Sequence, residues 1–215
     1  MIDWTKFAAA VTCNLEWERL CERGAYLGEL SLHRTIAEYL QCATNLKIET
    51  EFNHPDIPGN KRLDIIGFGP QGANIQLAVE AKWIKTDGGT RYWHNEAAED
   101  IFRLEMLSTN MAPTDYRCII ISGITANVQK ELINKKKRVA KGKPMIPWID
   151  AILPSTKASA SRKIDVRSAK TTFRSFFKDR CADINITQLP TSYKAQLVAS
   201  HLASKHDQGC VQTYV

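Results

Sequence analysis

The chain reads as an α/β protein, with elements in the order α-β-β-β-α-β-α followed by a less regular, basic tail. Three observations point to that class. Three strand-like runs lie between two helical stretches, and a continuous apolar run, YRCIIISGI (116–124), suits a strand covered on both faces. The 215 residues are 44% hydrophobic, enough for one substantial core.

The elements follow in order. A helical stretch is expected over about 4–22, and Gly24 and Gly28 flank a break before a helix running from about Glu29 to Ala43. LKIETEF (46–52), RLDIIGFG (62–69) and NIQLAVEAKWI (74–84) are the strand candidates, separated by NHPDIPGN and PQGA, which carry the Pro, Gly, Asn and Asp that turns require. After the polar segment KTDGGTRYWH, a helix from about Asn95 to Ser108 places Ala98, Ile101, Phe102, Leu104 and Met106 on a buried stripe. A further helix opens near Thr125 and ends in KKKR (135–138). Beyond it, Pro144, Pro147 and Pro154 break the chain, STKASASRK (155–163) reads as an exposed loop, and short helices are expected over 167–180 and 190–205.

Composition narrows the functional classes. No apolar run of about 18 residues is present to cross a bilayer, and the N-terminus breaks its short apolar run with polar residues, so a soluble chain without a signal peptide or membrane partner is expected. Cysteines stand at 13, 21, 42, 118, 181 and 210 with no C-x-x-C pair, which argues against a structural zinc site and for reduced thiols in a cytoplasmic protein. The formal charge of +6 hides an asymmetry: residues 1–129 hold 12 Lys/Arg against 17 Asp/Glu, and residues 130–215 hold 17 against 6. An acidic front and a basic back suit a metal site joined to a surface that grips a polyanion.

The chemistry concentrates on the second and third strands. Asp64 sits in RLDII, and 16 positions later Glu80 and Lys82 sit in AVEAKW. Strand side chains alternate, so Glu80 and Lys82 share a face, and two carboxylates and an ammonium can converge across neighbouring strands. Charges among apolar residues need a stabilising partner, and a hard divalent cation serves carboxylates in that way. Such an ion acidifies a water and polarises a phosphoryl oxygen, the two needs of phosphodiester hydrolysis, while Lys82 offsets charge developing on the phosphate. Two carboxylates repel without the cation, so removing either is expected to leave the metal-free protein no less stable.

Over roughly residues 25–140 the element order and the D…ExK residues resemble the restriction-endonuclease-like, or PD-(D/E)XK, superfamily. Leu63 stands where the nominal motif has proline. The resemblance implies a mixed central sheet flanked by helices, with Asp64 and Glu80 as ligands of Mg²⁺ or Mn²⁺, the Ala81 main-chain carbonyl as a further ligand and Lys82 as the catalytic lysine. Family members often add an acid from the first core helix. Glu29 lies at the centre of the stripe formed by Leu32, His33, Ile36, Leu40 and Ala43, whereas Glu38 is on the opposite face, so Glu29 is assigned that role. The five histidines show no zinc-like spacing and read as surface or boundary residues. Trp93 and the run Lys135, Lys136, Lys137 and Arg138 are the candidates for nucleic-acid contact.

The resulting expectation is an N-terminal helical segment (1–24), a nuclease core (25–143) and a basic C-terminal extension packed on it (144–215). The function expected is a metal-dependent endonuclease acting on DNA, with RNA and a homodimer left open. Two rivals stand beside it: a non-catalytic nucleic-acid- or partner-binding protein on the same fold, and a toxin or effector nuclease held by an immunity partner.

Overall fold

The computed structural model describes residues 2–57, 59–70, 72, 74–84, 93–107, 116–129, 162–165, 192–195, 199–207 and 210–215. Helix α1 (Trp4–Glu18) is started by Asp3, whose Oδ1 accepts the Thr5 and Lys6 amides, and it buries Phe7, Ala8, Val11 and Leu15 along one stripe. It runs into a π-helical turn (Arg19–Arg23) in which Glu22 has φ 61°, so the helix ends short of the expected 22. Helix α2 (Glu29–Ala43) buries Leu32, His33, Ile36 and Leu40.

Strands β1 (Lys47–Asn53), β2 (Arg62–Phe68) and β3 (Ile75–Ile84) follow, then α3 (Trp93–Met106), β4 (Tyr116–Ile124) and a short α4 (Thr125–Val128). The order expected for residues 25–124 is therefore present. Four short strands complete the described elements: β5 (Arg162–Asp165), β6 (Ser192–Ala195), β7 (Ser200–Leu202) and β8 (Val211–Tyr214). A helix expected over 190–205 does not form. Ser200–Leu202 instead pairs with β8, and Ser192–Ala195 pairs with β5, so strand partners distant in sequence override a weak local helical pattern. The helix expected over 167–180 and the KKKR end of the helix near Thr125 lie outside the described residues.

The protein is thus mixed α/β, built on a six-stranded sheet in the order β1-β2-β3-β4-β8-β7. Among the described strands only β3 and β4 run parallel, joined by the crossover through α3, and the other neighbours are antiparallel. Alternation along β3 sorts the two faces. Leu77, Val79 and Ala81 join Phe7, Val11, Leu15, Leu32, Ile36 and Leu40 in the larger core under α1 and α2, while Ala78 joins Leu63, Ile66, Leu104 and Leu107 in a smaller one under α3. Val211 and Val215 belong to the larger core, so the sheet draws its strands from both the 25–143 and the 144–215 segments. No helix among the described residues is long and apolar enough to cross a membrane. Cys13, Cys21, Cys42, Cys118 and Cys210 are free thiols.

Candidate active site

The pairing of β2 with β3 runs from Phe68/Ile75 to Ile65/Val79 and goes no further, although both strands continue. Where the ladder stops, the Asp64 carboxylate replaces it: Oδ2 accepts the Ala81 amide at 2.8 Å. The N–H and C=O of one strand residue point to the same side, so the Ala81 carbonyl faces this opening as well. The alternation that sends Val79 and Ala81 into the larger core turns Glu80 and Lys82 towards α3.

Helix α2 supplies two side chains from one face, Glu29 and, one turn later, His33. His33 Nε2 is 3.3 Å from Asp64 Oδ2 and Nδ1 is 3.8 Å from Glu51 Oε1. The ring is buried, and Nε2 has no partner with hydrogen-bond geometry. Glu51 has φ 53°, a left-handed conformation unusual for a non-glycine residue, in the strand beside Asp64. One ligand atom from each of Glu29, His33 and Asp64 lies within 4.8 Å of the others. Ligands on opposite sides of a small divalent cation stand about 4.2 Å apart, so modest side-chain movement would close the three around one ion. Two carboxylates and an imidazole suit Mn²⁺ better than Mg²⁺, because imidazole nitrogen is the softer donor.

Helix α3 brings the counterions. Arg103 donates from Nε and Nη2 to the two oxygens of Glu80, at 3.1 and 3.2 Å, and Nη2 also bonds Asp100 Oδ1. Lys82 Nζ donates to Glu29 Oε1 at 2.7 Å and lies 3.0 Å from Asp100 Oδ2. Further out, Lys61 donates to Glu99 at 2.7 Å. His54 holds the end of α3: its Nε2–H donates to the Arg103 carbonyl at 2.8 Å, and its Nδ1 accepts the Asp56 and Ile57 amides.

These contacts set the direction in which each group's proton affinity moves. Burial pushes Glu80 well above the ordinary carboxyl range, reinforced by the charges of Asp100 and Asp64 and opposed by Arg103. Burial acts on Asp64 in the same direction, but His33, the Ala81 amide and a hydrogen bond from Glu80 outweigh it and hold Asp64 down at about 2. The two carboxyls are therefore driven in opposite directions, Glu80 towards its protonated form and Asp64 towards its carboxylate. Burial would lower Lys82, yet Asp100, Glu29 and Asp64 outweigh it and raise its pKa, so the side chain is an ammonium and no base. His33 is raised in the same way, its burial outweighed by Asp64, Glu29 and Glu51.

Of the residues singled out in the sequence, the structure brings Asp64, Glu80, Ala81, Lys82 and Glu29 to one opening, and leaves Glu38 63% exposed beside Arg34. It differs from expectation in the partners. Glu80 stands next to the Glu29/His33/Asp64 group with both oxygens engaged by Arg103, and the carboxylates are countered by cations of the protein itself. Trp93 opens α3, and its side chain lies outside the described residues, as do Lys135, Lys136, Lys137 and Arg138. His33, Asp100 and Arg103 escaped sequence reasoning. His33 was legible from its i, i+4 spacing to Glu29 on the buried stripe, and Asp100 and Arg103 from their i, i+3 spacing beside Ile101 and Leu104. Comparison with protein-family models, with curated proteins and with solved structures finds no match for this chain.

Proposed function

We propose that the chain is a divalent-metal-dependent nuclease on a restriction-endonuclease-like core, hydrolysing phosphodiester bonds in DNA. The observation that carries this reading is the convergence of Asp64, Glu80 and Lys82, from two strands that part company at that point, with Glu29 from the preceding helix. Glu29, His33 and Asp64 would hold Mn²⁺ or Mg²⁺, with the Ala81 carbonyl directed at the same opening. The ion, when bound, supplies Lewis acidity to a phosphoryl oxygen and to a water.

The chain's own groups divide the remaining work. Lys82, permanently charged, offsets the negative charge that grows on phosphate oxygens. Glu80, hydrogen-bonded to Asp64 and gripped by Arg103, keeps the Asp64 ligand in place, and the proton that an attacking water gives up passes to solvent. Arg103 keeps that carboxyl oriented. The basic half of the chain, including Lys135–Arg138, provides grip on the phosphate backbone.

One observation favours a second reading, a non-catalytic binding module on the same fold. Every acid of the site already has a partner within the protein, so the network is electrostatically satisfied without a cation. The two readings separate in one experiment. The purified protein is incubated with supercoiled, linear and single-stranded DNA and with RNA, in Mn²⁺, Mg²⁺ or EDTA. Cleavage in metal and none in EDTA supports the nuclease; binding without cleavage in every arm supports the module.

A further inference from the structure

The face of α3 that meets the sheet is aliphatic at Ala97, Ile101 and Leu104, all buried, yet it also carries Asp100, only 2% exposed, and Arg103. Buried ion pairs seldom stabilise a fold more than apolar residues of similar shape, so stability alone gives no reason for these two. Their contacts do. Asp100 divides its oxygens: Oδ1 accepts from Arg103, and Oδ2, with no hydrogen-bond partner of its own among the described residues, faces the Lys82 ammonium at 3.0 Å.

Lys82 otherwise depends on Glu29, and Glu29 has a second task. Its carboxylate is also one of the three ligand groups that converge with His33 and Asp64. A cation that recruits Glu29 draws that oxygen away from Lys82, and a lysine with a flexible four-carbon stem then loses its direction unless another anion holds it. Asp100 lies outside the ligand group, is more deeply buried than Glu29, and is itself fixed by Arg103.

We propose that Asp100 is the positioning residue of Lys82, keeping its ammonium aimed at the site when Glu29 turns to the cation, with Arg103 as the clamp that fixes Asp100. The catalytic meaning of this inference rests on the nuclease reading; the contact itself does not.

The test therefore has two arms. In the first, Lys82 reactivity is followed by reductive methylation and mass spectrometry in the metal-free protein and with Mn²⁺. Asp100→Asn accelerates Lys82 labelling several-fold, most of all with Mn²⁺, whereas Glu99→Gln, which touches Lys61 and Arg103 but not Lys82, leaves it at the wild-type rate. In the second, Asp100→Asn lowers single-turnover cleavage on the order of 10²-fold, the effect of misplacing a reacting group, with the Kd for DNA and for Mn²⁺ unchanged. In a Lys82→Ala background the same substitution lowers cleavage no further, because a residue acting only through Lys82 has nothing left to act on.

Unchanged labelling, or equal losses in both backgrounds, overturns the proposal. If the wild-type protein cleaves none of the substrates, the nuclease reading fails and the labelling arm alone decides the role of Asp100. Should Asp100→Asn not fold, Asp100→Ser, which leaves room for water, is judged by the same criteria.

Discussion

In the metal-free protein, Asp64→Asn is expected to destabilise the fold, and the structure gives the size of the effect. The Asp64 carboxyl is held at about 2 instead of 3.8, which at 1.36 kcal/mol per unit corresponds to about 2.5 kcal/mol. Burial opposes ionisation here, so the whole gain comes from His33, the Ala81 amide and Glu80. Asparagine keeps the shape and can still accept the Ala81 amide, so the loss reaches about 1–2.5 kcal/mol, or roughly 2–10 °C in Tm for a chain of this length. Because the folded pKa is the lower one, the Asp64 contribution is complete above the unfolded value of 3.8 and is lost as pH falls toward 2. His33 acts in the other direction: its raised pKa makes its contribution complete below 6.5 and lost as pH rises through the folded value. The gap between wild type and variant is thus widest near pH 5–6, as measured by thermal melts in EDTA across the pH range. Repulsion between Asp64 and Glu80 alone gives the opposite sign. A variant that melts at or above the wild-type temperature at pH 5–6 refutes the argument that the protein's own cations hold this charge.

Three further outcomes follow from the same contacts. Glu29→Gln should weaken Mn²⁺ binding in calorimetry by about tenfold or more, while Glu38→Gln, exposed beside Arg34, leaves it unchanged. His54, lowered first by burial, contributes stability above 6.5 that is lost as pH falls through its folded pKa; His54→Ala should cost about 1–3 kcal/mol near pH 7.5 and flatten the acid limb of the melting curve. Replacing Lys135, Lys136, Lys137 and Arg138 with Ala should weaken DNA binding and flatten the plot of log K against log salt by up to about 3–4, and an unchanged slope returns the run to ordinary solvated surface.

The core elements were legible because their signals are local. Apolar runs bounded by turn residues mark β1 to β4, and the 3.6-residue stripe on α2 alone separates Glu29 from Glu38. The local pattern around 190–205 points to helix, whereas β7 is made by β8, a partner invisible to a local pattern. The grouping of Asp64, Glu80 and Lys82 is legible in the sequence, but the balance of charge around them is not. D…ExK on neighbouring strands announces carboxylates, yet nothing in that pattern shows that Arg103, 23 positions beyond Glu80, forks onto it across the crossover helix. His33 lies on the buried stripe but reads from the sequence as a boundary residue, since a histidine acquires its role only from the Asp64 and Glu51 that β2 and β1 bring to it.

Cleavage of supercoiled DNA by wild type and Lys82→Ala, at matched Mn²⁺ occupancy and with both shown to bind DNA, tests the central claim most directly. A metal-dependent hydrolytic site built on Asp64, Glu80 and Lys82 predicts nicking by wild type and a rate lower by on the order of 10²–10³-fold for the variant, the usual loss when a donor to the transition state is removed. A folded Lys82→Ala protein that cleaves at the wild-type rate, or a wild-type protein that leaves the DNA intact in Mn²⁺ and Mg²⁺ alike, contradicts it.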